Sequence, residues 1–304
     1  MAKSRAAGLS SLSRRDHATA YLMILPSLVA LGIFVFTPLV MALEKSLTDW
    51  QLYQGATFIG LENFRIVLGN SLFRKSLENM VRFVLMIVPA QFVFSFLFAH
   101  VLRGMHQRAG ALIKTAIYVP TVISGVVASV IFLFIFHYQG GILNWLVRQL
   151  GYKRIGFLAE PGLAQMSISV TSIWMGFGYN SLIMFAGLQN IPQSYYEAAE
   201  VDGATRFKQL IYITLPSMKN TFILILISLM TGTLQMFDLP YMMFGGAGPV
   251  NSTLTPMVYV YNNFKSAEYS LGYTIASALL LMIVIGTLNS LVFTVIGSQK
   301  SQDE

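Results

Sequence analysis

The segment Glu197-Ala198-Ala199-Glu200-Val201-Asp202-Gly203, closing downstream at Ile213-Thr214-Leu215-Pro216, decides how this chain is read. It sits in a polar stretch, residues 189–219, between two long apolar runs. A chain that merely crossed a bilayer twice would need a turn of a few residues there. This one carries two short helical patterns separated by a glycine. Pro192 suits a first helical position, where φ is preset and no amide proton is wasted. Residues 193–201 are mostly good helix formers, and Gly203 supplies a stop at which a positive φ costs nothing. Thr205 can cap a second short helix over 206–213, and Pro216 precedes the next apolar run. Two readings stay open on the physics alone. One is a solvated helical hairpin. The other is a docking surface, in which Ala198 and Ala199 admit another protein close to the backbone while Glu197 and Glu200 offer acceptors to a basic partner.

The apolar surroundings set the class. Of 304 residues, 55% are hydrophobic and 11% charged, whereas soluble domains carry about 25% charged residues. Six runs reach the ~20 residues a spanning helix needs: 20–43, 81–102, 112–137, 163–187, 217–241 and 272–296. They include Pro26, Pro38, Pro89 and Pro120, which membrane helices tolerate, and they lack the alternation of a barrel strand. The sequence therefore predicts an all-α polytopic membrane protein with six transmembrane helices in a domain spanning 20–297, an N-terminal tail 1–19 and a C-terminal tail 298–304. The first run is charge-free over 18–43, far longer than the 7–15 residues of a signal-peptide core, so it reads as a retained span.

The net charge of +7 does not point to nucleic acid, because the basic residues cap apolar runs and form no patch. They read as topology signals. Lys3, Arg5, Arg14 and Arg15 predict a cytoplasmic N-terminus; with six spans, both termini and the 189–219 loop then face the cytoplasm. There is no cysteine, which removes disulfides and thiolate metal sites. His17, His100, His106 and His137 are scattered without ligand spacing, so no metal site is expected. The outer connections, 44–80 (with a short helical pattern at 61–67), 138–162 and 242–271, are too short for a separate domain.

The loop resembles the EAA loop of binding-protein-dependent ABC importer permeases. That motif reads Glu-Ala-Ala, three residues, Gly, nine residues, Ile-x-Leu-Pro, and Glu197-Ala198-Ala199, Gly203 and Ile213-Thr214-Leu215-Pro216 match it throughout, with Asp202 and Ala204 fitting around the glycine. The resemblance covers nearly the whole chain and points to the carbohydrate branch. Phe58-Ile59-Gly60-Leu61-Glu62-Asn63-Phe64, Ala186-Gly187-Leu188-Gln189-Asn190-Ile191-Pro192 and Phe237-Asp238 with Tyr241 look like that branch's phrases, of the subunit type of maltose F-like and glycerol-phosphate A-like permeases. The Gly-rich turn departs from the usual Thr-Gly-Gly-Gly-Pro, reading Phe244-Gly245-Gly246-Ala247-Gly248-Pro249.

The resemblance implies a type I ABC importer permease fold in the bacterial cytoplasmic membrane. It implies a second, homologous permease as heterodimeric partner, two ATPase subunits that bind ATP and Mg, and an extracytoplasmic solute-binding protein that delivers a sugar. This chain has no GxxxxGK[ST] loop to cradle ATP, so it is expected to be a transport subunit and not an enzyme, with no cofactor of its own. For coupling to the ATPase, the resemblance singles out Glu197, Ala198, Ala199, Asp202, Gly203, Leu215 and Pro216. For the sugar path it implies Ser172, Met175 and Gly176 on the fourth span, near Trp174, and Thr233 and Met236 on the fifth. Asn180 and Gln235 could add amide partners, since a sugar needs hydroxyl and amide groups and a flat apolar face. Ordinary helix packing accounts for small and hydroxyl residues equally well. Asp238 is the one acid inside an expected span, and such acids are functional candidates; roughly 30 Å from Ser217 at 1.5 Å per residue, it lies toward the outer interface, where a gating role competes with sugar contact. Two rivals remain. An ion-coupled secondary transporter would want charged residues at mid-membrane, and a permease for a non-sugar solute would share the EAA loop.

Overall fold

The computed structural model describes residues 14–51, 55–266 and 269–297, and every regular element among them is helical. In chain order the helices are α1 (Arg14–Leu31), α2 (Thr37–Ser46), α3 (Glu62–Gly69), α4 (Ser71–Arg103), α5 (Gln107–Val122), α6 (Gly125–Phe136), α7 (Ile142–Gln149), α8 (Pro161–Gln189), α9 (Gln193–Val201), α10 (Arg206–Gln209), α11 (Leu215–Ser217), α12 (Lys219–Leu234), α13 (Asp238–Phe244), α14 (Pro256–Lys265) and α15 (Leu271–Gly297). Residues 1–13 of the expected N-terminal tail, including Lys3 and Arg5, and the expected tail 298–304 lie outside the described residues.

Among the described residues, four helical stretches are long and apolar enough to cross a membrane: Thr19–Ser46, Ser71–Arg103, Lys219–Phe244 and Leu271–Thr294. A fifth is the pair Arg108–Val122 and Gly125–Phe136, if its two halves count as one span. The expected third span, 112–137, is thus not a single rod: its halves are bent by 99°. Helix α5 holds Pro120 in its last turn and ends at Val122, Ile123 is extended, and Ser124 starts α6 afresh by accepting the Val127 amide proton at 3.3 Å. The expected fourth span, 163–187, is the 29-residue α8, which falls short in apolarity. Its polar residues, among them Gln165, Ser167, Ser169, Thr171, Asn180 and Ser181, are buried, so the helix turns its polar side to protein and needs less hydrocarbon character.

Other boundaries move for local reasons. The second span begins at Ser71, ahead of residue 81, because Asn70 caps α4 by accepting from the amides of Leu72 and Phe73; charged residues there hid the helix from an apolar count. Two π-helical turns, Gly32–Phe36 and Leu210–Thr214, each end just before a helix with proline at its second position, Pro38 and Pro216. Proline cannot donate and its ring crowds the carbonyl four residues back, so the preceding turn widens and Leu215 reaches back to the carbonyl of Leu210.

The core is assembled along α4 and α8. One apolar cluster joins Ala99, Met184, Leu188, Met218 and Ile225 at the α9 end; a second joins Phe83, Phe132, Ile168, Met236 and Met243 nearer the other end. Glycines permit the closest crossings. A Cβ on Gly178 of α8 would lie 1.7 Å from the carbonyl oxygen of Ile117 on α5. The outer turn at 245–251 is held by amides: Asn79 donates to the carbonyls of Asn251 (2.7 Å) and Leu254 (3.0 Å), and Gln165 to that of Ser252 (2.8 Å). The altered Gly-rich sequence is accommodated because Gly245, Gly246 and Gly248 all have positive φ, joined by Val250 and Asn251.

Candidate functional site

A cavity of about 560 Å³ opens where both broken helices meet α8. Every residue expected on the solute path lines it: Ser172, Met175, Gly176, Asn180, Thr233, Gln235, Met236 and Asp238. The first four come from the middle of α8. Thr233 is near the end of α12, Gln235 and Met236 form the break that follows, and Asp238 begins α13. The chain breaks because Gln235 ends α12 with ψ near 13° and Phe237 is non-helical (φ −126°, ψ −53°).

The polar groups divide into two sets. Asn180 donates to the carbonyl of Gly176 (3.0 Å), Thr233 to that of Leu229 (2.8 Å), and Thr121 to that of Met175 (3.2 Å). The hydroxyl protons of Thr233 and Thr121 are used, Asn180 keeps one amide proton, and all three side-chain oxygens can still accept. The side chains of Gln91, Ser172, Gln235 and Asp238 line the cavity and have no hydrogen-bond partner among the described residues. The lining holds one carboxylate and no Lys, Arg or His. It can therefore exchange hydrogen bonds with a hydroxyl-rich solute, and its field opposes an anion.

Asp238 is accommodated by geometry. A Cβ on Gly125 would lie 2.9 Å from both Cβ and Oδ2 of Asp238, so the carboxylate rests against the first residue of α6 while itself occupying the first residue of α13. Helix N-termini carry partial positive charge and favour an acid there. Sequence reasoning missed Gln91, Thr121, Gly125, Tyr179, Ser228, Gly232 and Phe237, all of which line the cavity. Gln91 had a readable signal, as an amide inside an apolar run; the others look like packing residues until the helices are placed. Tyr179 and Phe237 provide the aromatic faces, whereas Trp174 packs edge-on against Phe132, with centroids 5.3 Å apart, and lies outside the lining.

The second expected site is a surface. In α9 only Tyr196 is buried; Glu197, Ala198 and Glu200 are exposed and Ala199 is half-buried. Gly203 has φ +72°, and two bonds close the helix end, from Ala204 N to Ala199 O (2.8 Å) and from Gly203 N to Glu200 O (3.0 Å). This is the pairing of a Schellman stop. Thr205 caps α10 by accepting from the Lys208 amide at 3.4 Å. The second helix ends at Gln209, earlier than the expected 213, and passes through the π turn into α11 with Leu215 and Pro216. Val201, Phe207 and Tyr212 are 89%, 69% and 75% exposed, an apolar set beside the exposed acids Glu197, Glu200 and Asp202.

The model of the family described as binding-protein-dependent transport system inner membrane component matches residues 18–299. The chain belongs to that family. Among relatives of this inner membrane component, the sulfoquinovosyl glycerol transport system permease of Agrobacterium fabrum is 33% identical, over 88% of this chain and 86% of its own. The lactose transport system permease of Rhizobium radiobacter is 31% identical, over 91% and 94%. In structure, the permease resembles a chain of a bacterial ABC transporter that imports the acidic polysaccharide alginate, with a TM-score of 0.82, 20% identity and coverage of 94% and 98%. That likeness gives the fold, that of an ABC importer permease.

Proposed function

We propose that this permease forms half of the translocation pathway of a sugar ABC importer and that a neutral, hydroxyl-rich solute crosses through the cavity between α4, α8 and the breaks at 123–124 and 235–237. The support is that eight residues singled out from sequence line one cavity with amide, hydroxyl and aromatic groups and no cation. Relatives named for transport of lactose and of sulfoquinovosyl glycerol agree with a glycoside as cargo; lactose is neutral and sulfoquinovosyl glycerol carries a sulfonate, so the neutral class rests on the cation-free lining with its one carboxylate. Counting α8 and the bent α5–α6 pair as crossings makes six spans within 20–297. Six spans, with Arg14 and Arg15 at the start of α1, support the reading that α9 and both termini face the cytoplasm of a bacterial cell.

The remaining parts follow from the same reading. An extracytoplasmic binding protein delivers the solute, and a second, homologous permease completes the pathway. Two ATPase chains hold ATP and Mg, so hydrolysis lies outside this subunit. The exposed face of α9, with Glu197, Ala198, Ala199 and Asp202, docks on an ATPase. Gly203 stops the helix, while Leu215 and Pro216 carry the loop into the fifth span. The test is uptake into proteoliposomes holding both permeases and the ATPase, with the cognate binding protein and a panel of neutral oligosaccharides and uronates. ATP-dependent uptake of a neutral sugar is expected. Uptake driven by a proton or sodium gradient without ATP would instead establish the ion-coupled alternative.

A further inference from the structure

Three elements converge on one hydroxyl where α4 ends. Arg103, in the last turn of α4, donates from Nη1 to the Tyr196 hydroxyl oxygen at 3.0 Å. Its guanidinium also lies over the Tyr196 ring, 4.5 Å from the centroid. The same hydroxyl is 2.9 Å from Thr214 Oγ1, in the π turn that leads to α11 and α12. Thr214 in turn donates to the carbonyl of Gln209 at 3.4 Å. Tyr196 accepts from Arg103 and shares a hydrogen bond with Thr214 in which either hydroxyl can donate, so a hydrogen-bonded chain runs from α4 through α9 into the π turn. Tyr196 is 8% exposed and Thr214 2%, and both border a polar cavity.

Alongside lies a cavity of about 380 Å³, bordered by His100 and Arg103 of α4 and by Gln193, Glu200 and Arg206 of the loop. The polar side of α9 is thus not packed directly on α4; the Arg103–Tyr196 contact bridges them. Both elements tied to the junction reach the solute cavity. Gln91 lies 12 residues before Arg103 on α4, about 18 Å along the axis, and Ser228 and Thr233 lie on α12.

We propose that Arg103, Tyr196 and Thr214 form the joint through which a displacement of α9 passes into the second and fifth spans, and so into the cavity. They act as positioning residues that touch no solute. The proposal rests on reading α9 as the helix that docks on the ATPase. Tyr196→Phe is the sharpest probe, because it keeps the ring and removes the hydroxyl shared by the chain; Arg103→Gln is the second. The chain contains no cysteine, so Ser172→Cys gives one reporter thiol in the cavity. The full importer is reconstituted in proteoliposomes and labelled with a membrane-impermeant maleimide, with and without vanadate-trapped ATP. Modification is read on this chain by mass, and basal ATPase rates and co-purification of the ATPase are measured in parallel. The joint predicts that both variants, placed in the reporter background, stay assembled and keep the reporter's basal ATPase rate. Their vanadate-dependent change in labelling should fall by roughly tenfold, the factor that about 1.4 kcal/mol represents. Retention of the full labelling change in both variants overturns the joint. So does loss of the ATPase from the complex, which would make the junction a holder of the docking surface only. If the reporter alone shows no vanadate-dependent change, the ATP-driven reading itself fails, and the joint with it.

Discussion

Two glycines two residues apart on α8, and so on opposite sides of the helix, should respond differently to the same added methyl. At Gly178 a Cβ would lie 1.7 Å from the carbonyl oxygen and 2.5 Å from the carbonyl carbon of Ile117. Real Cβ contacts essentially never fall under 3.0 Å, so α5 and α8 would have to part by more than an ångström. The obstacle is backbone in a packed crossing and cannot swing aside. Overpacking of this kind costs about 1–3 kcal/mol. At Gly176 the Cβ would lie 2.0 Å from Gln91 Nε2, the free end of a flexible side chain. That amide can rotate away for about 0.5–1.5 kcal/mol of rotamer strain, but it leaves its place in the cavity lining. Gly178→Ala should therefore lower the thermal unfolding midpoint of the detergent-solubilised complex by several degrees. Gly176→Ala should change the midpoint less while raising the solute concentration needed for half-maximal stimulation of the ATPase. The reasoning is refuted if Gly178→Ala leaves the midpoint unchanged, or if Gly176→Ala is the more destabilising of the two.

Further outcomes can be checked separately. Gly203→Val has no neighbour within 4 Å to meet, so its effect comes from the left-handed backbone at φ +72°, which costs a residue with a Cβ about 1–2 kcal/mol; ATP hydrolysed per solute imported should rise with the membrane helices intact, and an unchanged ratio would count against α9 as a rigid lever. Asp238→Asn removes the one charge of the cavity lining and should improve stimulation by uronates relative to their neutral counterparts; an unaltered preference would place charge selection elsewhere. Gly125→Ala should disturb the same carboxylate, given the 2.9 Å approach to Oδ2, and its solute preference should shift in the direction of Asp238→Asn. Asn79→Leu strips partners from the carbonyls of Asn251 and Leu254 and from Gln165, each buried loss costing about 1–3 kcal/mol, and a thermal midpoint within error of the parent would show that the outer turn does not depend on it.

Local chemistry made a large part of this protein legible in its sequence. Long apolar runs with few charges announce membrane helices, because a bilayer offers no partner to an exposed backbone group. The glycine stop at 203 and the cap at Thr205 could be read from residue type, since each depends on the φ range or hydroxyl of a single residue. The eight candidate residues came from the family resemblance and from residue type, and they line one cavity. What only the tertiary structure decided involves surfaces brought together across long separations. Helices α5 and α6 are bent against each other, and their break meets the break between α12 and α13 through Gly125 and Asp238. A helix as polar as α8 sits among apolar neighbours because its amides and hydroxyls are buried against protein. Gln91 enters the cavity from a helix whose sequence gave no reason to look there beyond one amide. Arg103 and Tyr196, 93 positions apart, meet only because α9 lies beside the end of α4. Periodicity and caps depend on neighbours within a turn or two and are written in order along the chain. Which faces meet depends on how closely two backbones can approach, and that is settled only when the helices pack.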